Sequence, residues 1–328
     1  MSDTETPTVD LPALRHLPLA VLINPQSGRV KRDLARLRAL LEGRGDLLVE
    51  DAVTPPQIAA ALDRFRQRGA ASLAVLGGDG TLHALMTAMG NQDTADWLPL
   101  LIIPGGTTNM SAVGLGARLS PRKALKAVLA WRDNNGAAPR LVNQPVLRIR
   151  QGEATLHGFF FGTGAIESGV SYFHQNLRPT GMQGIVGPGL AFARMLLAIL
   201  RGKPHPLLPA RRFSVATDSH NWQRDWLLVL ASPLDRLLLG CRPYWGNENG
   251  TLHVTAVEYQ PRRLPRVLPA LLRGRGAGVA HAEDGYLSCN SDQLTLHEAG
   301  DFIVDGESLC GKGVLQLDST AAKSFLVF

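Results

Sequence analysis

Short apolar runs and segments of helical periodicity alternate along the chain up to about residue 131. The apolar runs are continuous, as in strands buried on both faces, and the longer segments repeat apolar residues every three or four positions. The predicted elements are strand 19–24, helix 30–41, strand 47–53, helix 55–68, strand 73–76, helix 82–89, strand 98–104 and helix 121–131. This order predicts a Rossmann-like α/β domain whose parallel sheet is covered by helices.

The pattern changes after a polar, loop-rich stretch at 133–139, which we interpret as a domain boundary. Beyond it, short strands alternate with turns, which is typical of an antiparallel β-sandwich. The predicted strands are 141–149, 154–161, 213–216, 226–231, 252–258, 293–297, 302–304 and 314–317. We therefore predict an α/β domain over 18–139 and a β-sandwich domain over 140–328. The apolar residues 324–328 can join either sheet, including that of the first domain.

Composition and charge restrict the class of protein. The chain has 328 residues, 45% of them hydrophobic and 19% charged, which fits a soluble globular protein with two cores. Its net charge of +6 favours an anionic partner. No signal peptide or bilayer-length apolar run is apparent, and the cysteines lack metal-ligand spacing, so we expect a cytoplasmic protein with reduced thiols. We expect residues 1–17, which begin with an acidic and polar stretch, to be a disordered leader.

The glycine-rich turn between the third predicted strand and its helix points most clearly to chemistry. This turn consists of Gly77, Gly78, Asp79, Gly80 and Thr81. Glycines let the backbone come close to an anion, and the free N–H groups of a helix start point toward it. A carboxylate in such a turn repels phosphate unless a cation or a transferable proton lies between them. We therefore predict that Asp79 serves Mg²⁺–nucleotide chemistry.

Polar loops also follow the first and fourth predicted strands, at 24–28 and 105–109. Because ligands of parallel sheets bind at the carboxyl ends of the strands, we expect the three loops to form one site. Other phosphate and metal motifs are absent from the sequence: there is no G-x-x-x-x-G-K-[ST], no G-x-G-x-x-G after a first-domain strand, no H-E-x-x-H and no Cys-x-x-Cys. P-loop, dinucleotide-redox and zinc chemistry therefore have no support.

Four separated blocks stand in order along the chain. They are Asn24-Pro25-Gln26-Ser27-Gly28, Gly77-Gly78-Asp79-Gly80-Thr81, Pro104-Gly105-Gly106-Thr107-Thr108-Asn109 and Asp305-Gly306-Glu307. Together with the segment 159–169, they resemble the diacylglycerol kinase catalytic family, which is related to sphingosine, ceramide and NAD kinases. The resemblance covers about residues 18–320. It implies a nucleotide-binding α/β domain and a β-sandwich domain, with the active site in the cleft between them.

The resemblance also implies roles for individual residues. Glu307 matches the family's proposed proton acceptor, and Asp305 is an alternative base or metal partner. Asp79 is assigned to the Mg²⁺–ATP network. Thr54 looks like the family's nucleotide-contacting threonine, and Thr107 matches its second loop. The full set of expected nucleotide contacts is Asn24, Thr54, Gly77, Gly78, Asp79, Gly80, Thr81, Gly106, Thr107 and Asn109.

Three positions depart from the family pattern. Ala84 stands where relatives carry Glu, and Met110 stands where many carry Asp. A structural Mg²⁺ site of the second domain would map to Gly246, Asn249 and Thr251. Asn249 replaces a carboxylate there, and a neutral amide is a weaker ligand for a hard cation. These departures leave the identity of the lipid open.

Two segments of the second domain have alternative interpretations. The helix predicted at 190–200 is apolar on almost every face, so it is either a buried helix or a wall of an acyl-chain pocket with glycines as a gate. The arginines between 262 and 275 form either a solvated face or a membrane-surface patch. Nucleic-acid binding is disfavoured, because the chain has no recognition motif or aromatic platform.

These features predict an ATP- and Mg²⁺-dependent lipid kinase that phosphorylates a diacylglycerol-like or sphingoid lipid. The expected location is the cytoplasm, with peripheral contact at the inner membrane face and no transmembrane segment. One alternative is a soluble-substrate kinase of the NAD kinase type. Another is a catalytically silent lipid- or nucleotide-binding protein. The sequence leaves a homodimer open.

Overall fold

The structure, a computed structural model, describes residues 9–92, 97–172, 211–237 and 240–328. The chain divides into two compact units. The first comprises Met1–Val146 together with Thr320–Phe328, and the second comprises Leu147–Ser319. Among the described residues, no helix combines the length and the apolar character needed to cross a bilayer.

The first unit is an α/β domain, as the sequence predicts. Its elements are α1 (Leu11–Leu14), β1 (Leu19–Ile23), α2 (Gly28–Leu41), β2 (Leu47–Asp51), α3 (Pro55–Gln67), β3 (Ser72–Gly77), α4 (Asp79–Gly90), β4 (Leu100–Pro104), α5 (Met110–Gly114), α6 (Pro121–Arg132), β5 (Arg140–Gln144) and, from the end of the chain, β17 (Lys323–Val327). The sheet order is β2-β1-β3-β4-β17-β5. All neighbouring strands are parallel except the β17–β5 pair.

Burial of both faces explains why the central strands are continuous apolar runs. Every residue of β1, β3 and β4 is buried. Alternate residues such as Val21, Leu76 and Ile103 join α2 and α6 in one core cluster. The remaining alternate residues are buried as well, which a parallel sheet covered by helices on both faces requires. The sheet therefore holds the loops at its carboxyl edge on a rigid base.

Two predicted boundaries are wrong. The sequence assigns residues from 140 onward to the second domain, but β5 pairs with β17 in the first sheet, with Leu141 opposite Leu326 and Val142 opposite Phe325. These apolar pairs place the first sheet's edge beyond the polar stretch at 133–139. The expected disordered leader at 1–17 contains α1, because the buried Leu14 packs into the core of the first unit.

The second unit is rich in antiparallel strands, as predicted. Its elements are β6 (Leu147–Gln151), β7 (Ala154–Gly158), β8 (Phe161–Gly164), α7 (Ala165–Tyr172), β9 (Arg211–Thr217), β10 (Asn221–Ser232), β11 (Leu252–Glu258), α8 (Leu264–Leu272), β12 (Tyr286–Ser291), β13 (Gln293–His297), β14 (Phe302–Val304), β15 (Glu307–Leu309) and β16 (Val314–Ser319). The strands form one network in the order β15-β14-β8-β10-β9-β13-β16-β6-β7, with β11 paired to β10 and β12 paired to β11.

The long strand β10 is shared by two groups of strands. Its first part pairs with β9, and its second part pairs with β8 and β11. The register shifts between Trp226 and Leu228, where the strand changes partners. Apolar side chains from both groups, including Trp226, Phe302 and Leu315, form a single core. This shared core is the basis of the predicted β domain.

Several elements of the second unit were not predicted. β12 mixes polar and apolar residues, and α8 contains Pro269, so neither gives a clear periodic signal. The predicted helix at 190–200 and the glycine-rich loop before it lie outside the described residues.

Candidate nucleotide-binding site

The polar loops that the sequence singles out lie at one edge of the first sheet. β1, β3 and β4 are adjacent and parallel, so the loops after Ile23, Gly77 and Pro104 leave from the same edge. β2 lies on the other side of β1, and the loop after it contains Thr54. β1 thus has β2 on one side and β3 on the other, so the chain connections diverge at β1. Parallel sheets covered by helices bind ligands at such a point.

Glycines allow the loops after β3 and β4 to pack backbone against backbone. The Gly105 N–H donates to the Gly77 carbonyl at 2.7 Å. A Cβ added to Gly106 would lie 2.6 Å from the Cα of Gly78, and one added to Gly105 would lie 3.0 Å from the Gly77 nitrogen. Because contacts this short require the facing backbone to move, side chains at Gly105 and Gly106 would push the loops apart.

A hydrogen bond ties the first loop to the start of α4. The Asn24 Nδ2 donates to the Thr81 Oγ1 at 2.9 Å, and the Asn24 Oδ1 accepts from the Gln26 N–H at 3.0 Å. The same loop is linked to the third one, since the N–H groups of Arg29 and Val30 donate to the Gly105 carbonyl at 2.8 and 3.2 Å. The three loops therefore form one hydrogen-bonded unit.

The N-terminus of α4 opens directly into this unit. Gly78 is the N-cap, and Asp79, Gly80 and Thr81 occupy the first turn. The first N–H groups of an α-helix have no partner within the helix, and the helix dipole makes this end positive. Gly78 has no side chain that could occupy these donors. The arrangement suits a phosphate group.

The Asp79 carboxylate connects the start of α4 to the start of α5. Its Oδ1 accepts from the Ser111 N–H at 2.9 Å and its Oδ2 from the Met110 N–H at 3.0 Å. Burial raises the pKa of Asp79, while the backbone hydrogen bonds from Ser111 and Met110 oppose the shift. Asp79 is partly exposed, so its carboxylate is accessible to a cation at the site.

Asn109 and Thr107 occupy different positions in the third loop. Asn109 is buried with a left-handed φ of 53°, and its side chain both accepts from the Gly106 N–H at 2.7 Å and donates to the Gly106 carbonyl at 2.9 Å. Asn109 therefore fixes the shape of the loop. Thr107 is exposed, and its Oγ1 lies above Gly28, where an added Cβ would be 2.7 Å away. Its hydroxyl can reach a ligand.

Thr54 lies at the N-cap of α3 and is exposed. The Gln57 Oε1 accepts from the N–H groups of Val53 and Thr54 at 2.9 and 3.1 Å, which fixes the end of β2. The Gln57 side chain therefore holds the Thr54 backbone in place at the ligand-binding edge of the sheet.

The acidic turn of the second unit holds two carboxylates in different surroundings, one buried and one exposed. Asp305 and Gly306 form a two-residue hairpin between β14 and β15, with φ values of 49° and 90°, as a type I′ turn requires. The buried Asp305 carboxylate accepts from the N–H groups of Phe159 and Phe160 at 2.9–3.1 Å. Glu307 is exposed, and its side chain makes no hydrogen bond or ion pair within the part of the chain that the structure describes.

The residues expected at a second-domain Mg²⁺ site do not form a cluster of acids. Asn249 is exposed, and the Thr251 N–H and hydroxyl donate to the Asp292 Oδ1, each at 3.0 Å. Gly246 packs against Cys289, where an added Cβ would be 2.5 Å away. The described ranges hold no group of three or more His, Cys, Asp or Glu side chains that could bind a metal.

Sequence reasoning missed the backbone groups that hold the two aspartates. The amides of Met110 and Ser111 bind Asp79, and those of Phe159 and Phe160 bind Asp305. For the first pair, the sequence showed only that residues 110–114, which form α5, follow the third loop directly. For the second pair, the matching segment at 159–169 marked the region but not the contact.

Comparisons with known proteins agree with this geometry. Residues 18–135 match the family described as the diacylglycerol kinase catalytic domain. No curated protein gives a significant match to the chain. Three solved structures from Bacillus anthracis str. Sterne, described as diacylglycerol kinases and two of them only provisionally, are 14%, 16% and 16% identical, with TM-scores of 0.59, 0.65 and 0.61. Each comparison covers 95% of this chain and 97% of the other, and at these identities it shows the fold. Residues 18–135 are therefore similar to a diacylglycerol kinase catalytic domain, and the chain shares the fold of the three solved structures.

Proposed function

We propose that the protein is an ATP- and Mg²⁺-dependent lipid kinase that transfers the γ-phosphate to a hydroxyl of a diacylglycerol-like or sphingoid lipid. The observation that supports this most is the set of loops after β1, β3 and β4, which are bonded to one another around the open N-terminus of α4. The match to a kinase catalytic domain covers these loops.

ATP fits this edge of the sheet for two reasons. Gly78, the N-cap of α4, has no side chain to cover the first N–H groups of the helix, which can bind phosphate oxygens. The exposed hydroxyls of Thr54 and Thr107 are available for the rest of the nucleotide. In this account Asn24 and Asn109 position the loops, because their side chains are already bonded to Thr81 and Gly106.

The donor set at this edge is compatible with Mg²⁺. The cation usually binds one or two carboxylates together with substrate phosphates, and Asp79 supplies a carboxylate at the phosphate-binding turn. When bound, Mg²⁺ would neutralise charge on the transferring phosphoryl group. The amides of Met110 and Ser111 hold the Asp79 side chain in one orientation. The second-domain site has no comparable donor set, so we assign no step to Asn249.

Glu307 is the better candidate for the base than Asp305. Phosphoryl transfer forms a bond from the lipid hydroxyl oxygen to the γ-phosphorus and breaks the bond to the ADP oxygen, and the hydroxyl proton must be accepted. Asp305 is only 5% exposed and both of its oxygens accept backbone hydrogen bonds, so a lipid hydroxyl has little access to it. Glu307 is exposed at the start of β15 and is free to accept the proton.

A panel of acceptors tests the proposal. The purified protein is incubated with labelled ATP, Mg²⁺ and, separately, diacylglycerol, a sphingoid base, ceramide or NAD. Label in one of the lipids supports the proposal. Label in NAD alone supports the soluble-substrate kinase. Saturable ATP binding without any labelled product supports a catalytically silent binding protein.

A further inference from the structure

We propose that α8 and its flanks form a docking surface for an anionic lipid bilayer. This surface, here called the arginine face, consists of the side chains Arg262, Arg263, Arg266, Arg273 and Arg275. The proposal rests on the proposed lipid kinase function, because a lipid kinase must reach a substrate that lies in a bilayer. Binding to the bilayer can be tested separately from kinase activity.

The apolar side of α8 is already covered by the protein. Leu264, Val267 and Leu271 are buried in a cluster with residues of β10, β11 and β12, including Leu227 and Tyr286. The Tyr286 hydroxyl also donates to the Arg262 carbonyl at 2.7 Å. The helix is therefore fixed to the sheet, so it would meet a bilayer with its outer side instead of inserting its apolar side.

Arg266 lies within α8 and the other members of the arginine face flank the helix, and the protein leaves most of this charge without a carboxylate partner. All members of the arginine face are exposed. Within the described part of the chain, Arg262 alone among them lies near a carboxylate, that of Asp284, at 4.0 Å. Other arginines such as Arg44 and Arg148 form close ion pairs with aspartates at 2.9 and 2.7 Å. Apart from Arg262, the arginine face is thus a concentration of positive charge that has no ion-pair partner among the described residues.

Helix stability does not explain this arrangement. Arg263 is the N-cap of α8, Arg266 lies in its first turn, and that turn holds no acid. The N-terminus of a helix is its positive end, where cations are unfavourable. Arg263 also has a left-handed φ of 55°, which is uncommon for a residue other than glycine. An anionic partner bound at this end of the helix would offset the unfavourable position of the arginine charges.

A bilayer fits the arginine face better than a nucleic acid. The stretch 262–279 contains no aromatic residue that could stack on a base. It does present Pro265 and Pro269 to solvent between the arginines and Val279 after them, and Val279 is 41% exposed. Small apolar groups beside cations suit the interface of an anionic membrane, where each basic residue near the surface strengthens binding about fivefold.

Sedimentation with vesicles tests the proposal. The full chain is mixed with vesicles of phosphatidylcholine, with or without phosphatidylglycerol, and the bound fraction is measured. The test variant replaces Arg263, Arg266 and Arg273 by Gln. The control variant replaces Arg122, Lys123 and Lys126, three exposed cations of α6, by Gln and so has the same net charge.

We expect the test variant to bind phosphatidylglycerol vesicles about 100-fold more weakly, and the control variant to bind within about threefold of the natural protein. Raising the salt from about 0.1 M to about 0.5 M should reduce binding of the natural protein. Equal losses in the two variants would overturn the proposal, because they would show an effect of net charge alone. Binding to duplex DNA with the same arginine dependence and no binding to vesicles would overturn it too.

A kinase assay separates failure of this proposal from failure of the proposed function. In nonionic detergent micelles the test variant should phosphorylate the lipid at the natural rate, and on phosphatidylglycerol vesicles its rate should fall with binding. Equal rates on vesicles would overturn the docking surface and leave the kinase function intact. Absence of product with the natural protein in micelles would count against the kinase function, while the sedimentation result would still decide the docking surface.

Discussion

Asn24 and Thr81 are 57 residues apart in the sequence, and the Asn24 amide donates to the Thr81 hydroxyl at 2.9 Å. This bond joins the loop after β1 to the first turn of α4. Thr81 is buried, with its side chain against Gly77. The turn that opens α4 contains a threonine because the threonine hydroxyl accepts this hydrogen bond. The bond sets the geometry of two loops that we assign to ATP binding.

Replacement of Thr81 by Val should weaken both the fold and nucleotide binding. The substitution keeps the shape but leaves the Asn24 amide without its acceptor, which costs about 1 kcal/mol of unfolding free energy. We expect the KM for ATP to rise about fivefold if the same energy is lost from binding. A double-mutant cycle with Asn24→Ala, read by urea denaturation and by kinetics, checks this. Fully additive effects of the two substitutions would contradict the account.

Asp79→Asn should remove activity while leaving the fold in place. Burial raises the pKa of Asp79, so its ionisation costs stability as the pH rises through that pKa. Asn removes this cost, although it loses one of the two hydrogen bonds to α5. We expect turnover to fall at least about 100-fold, as for loss of a group that acts on the transition state, and the Tm to change by no more than about 5 °C. Turnover near the natural rate would refute the role of Asp79.

Asp305→Ala should have the opposite result. The substitution leaves the N–H groups of Phe159 and Phe160 buried without their acceptor. We expect a loss of about 2–3 kcal/mol of unfolding free energy, measured by urea denaturation. The folded fraction should keep a measurable rate of phosphate transfer if Glu307 is the base. An inactive variant of unchanged stability would indicate instead that Asp305 acts in catalysis.

Asp46 provides a test of acid sensitivity away from the candidate site. Hydrogen bonds from Arg44 and, more weakly, from Arg132 lower the pKa of Asp46 from 3.8 to about 2 against the opposing effect of burial. A lowered pKa stabilises the fold above the unfolded-state value, and this contribution is lost as the pH falls from about 4 to about 2. Because the Asp46 side chain is 39% exposed, we expect Asp46→Asn to cost at most about 1 kcal/mol at neutral pH.

The difference between natural protein and Asp46→Asn should shrink as the pH falls through about 2 and disappear below it, as followed by thermal unfolding across the pH range. A difference that stays constant with pH would show that the ion pairs with Arg44 and Arg132 do not contribute in this way.

Local patterns were sufficient for the first unit and for the position of its loops. Buried parallel strands are continuous apolar runs, and the predicted strand at 73–76 became β3 with one more residue at each end. The alternation of strands and helices then fixed the edge where the loops meet. In the second unit, the strands at 252–258, 293–297 and 302–304 matched because turns bound them on both sides.

Long-range contacts could not be predicted from the sequence. Asp79 is bonded to an amide 32 residues away, and Asp305 to one 146 residues away, and neither separation leaves a periodic pattern. The pairing of β5 with β17 depends on a strand from the other end of the chain. α8 was not predicted because its two prolines are unfavourable for a helix. Pro265, however, stands in the first turn, where proline is tolerated.

The central claim is that the chain transfers phosphate from ATP to a lipid hydroxyl with Glu307 as the proton acceptor. The matched control is Glu298→Gln, a second exposed glutamate in the same unit. Labelled phosphate transfer to the preferred lipid and the Kd for ATP are measured for the natural protein and both variants.

We predict that Glu307→Gln lowers kcat about 100-fold to about 10,000-fold, with the Kd for ATP unchanged, and that Glu298→Gln behaves like the natural protein. An unchanged kcat in Glu307→Gln, or a defect confined to ATP affinity, would contradict the role of Glu307. Failure of the natural protein to label any lipid would contradict the central claim itself.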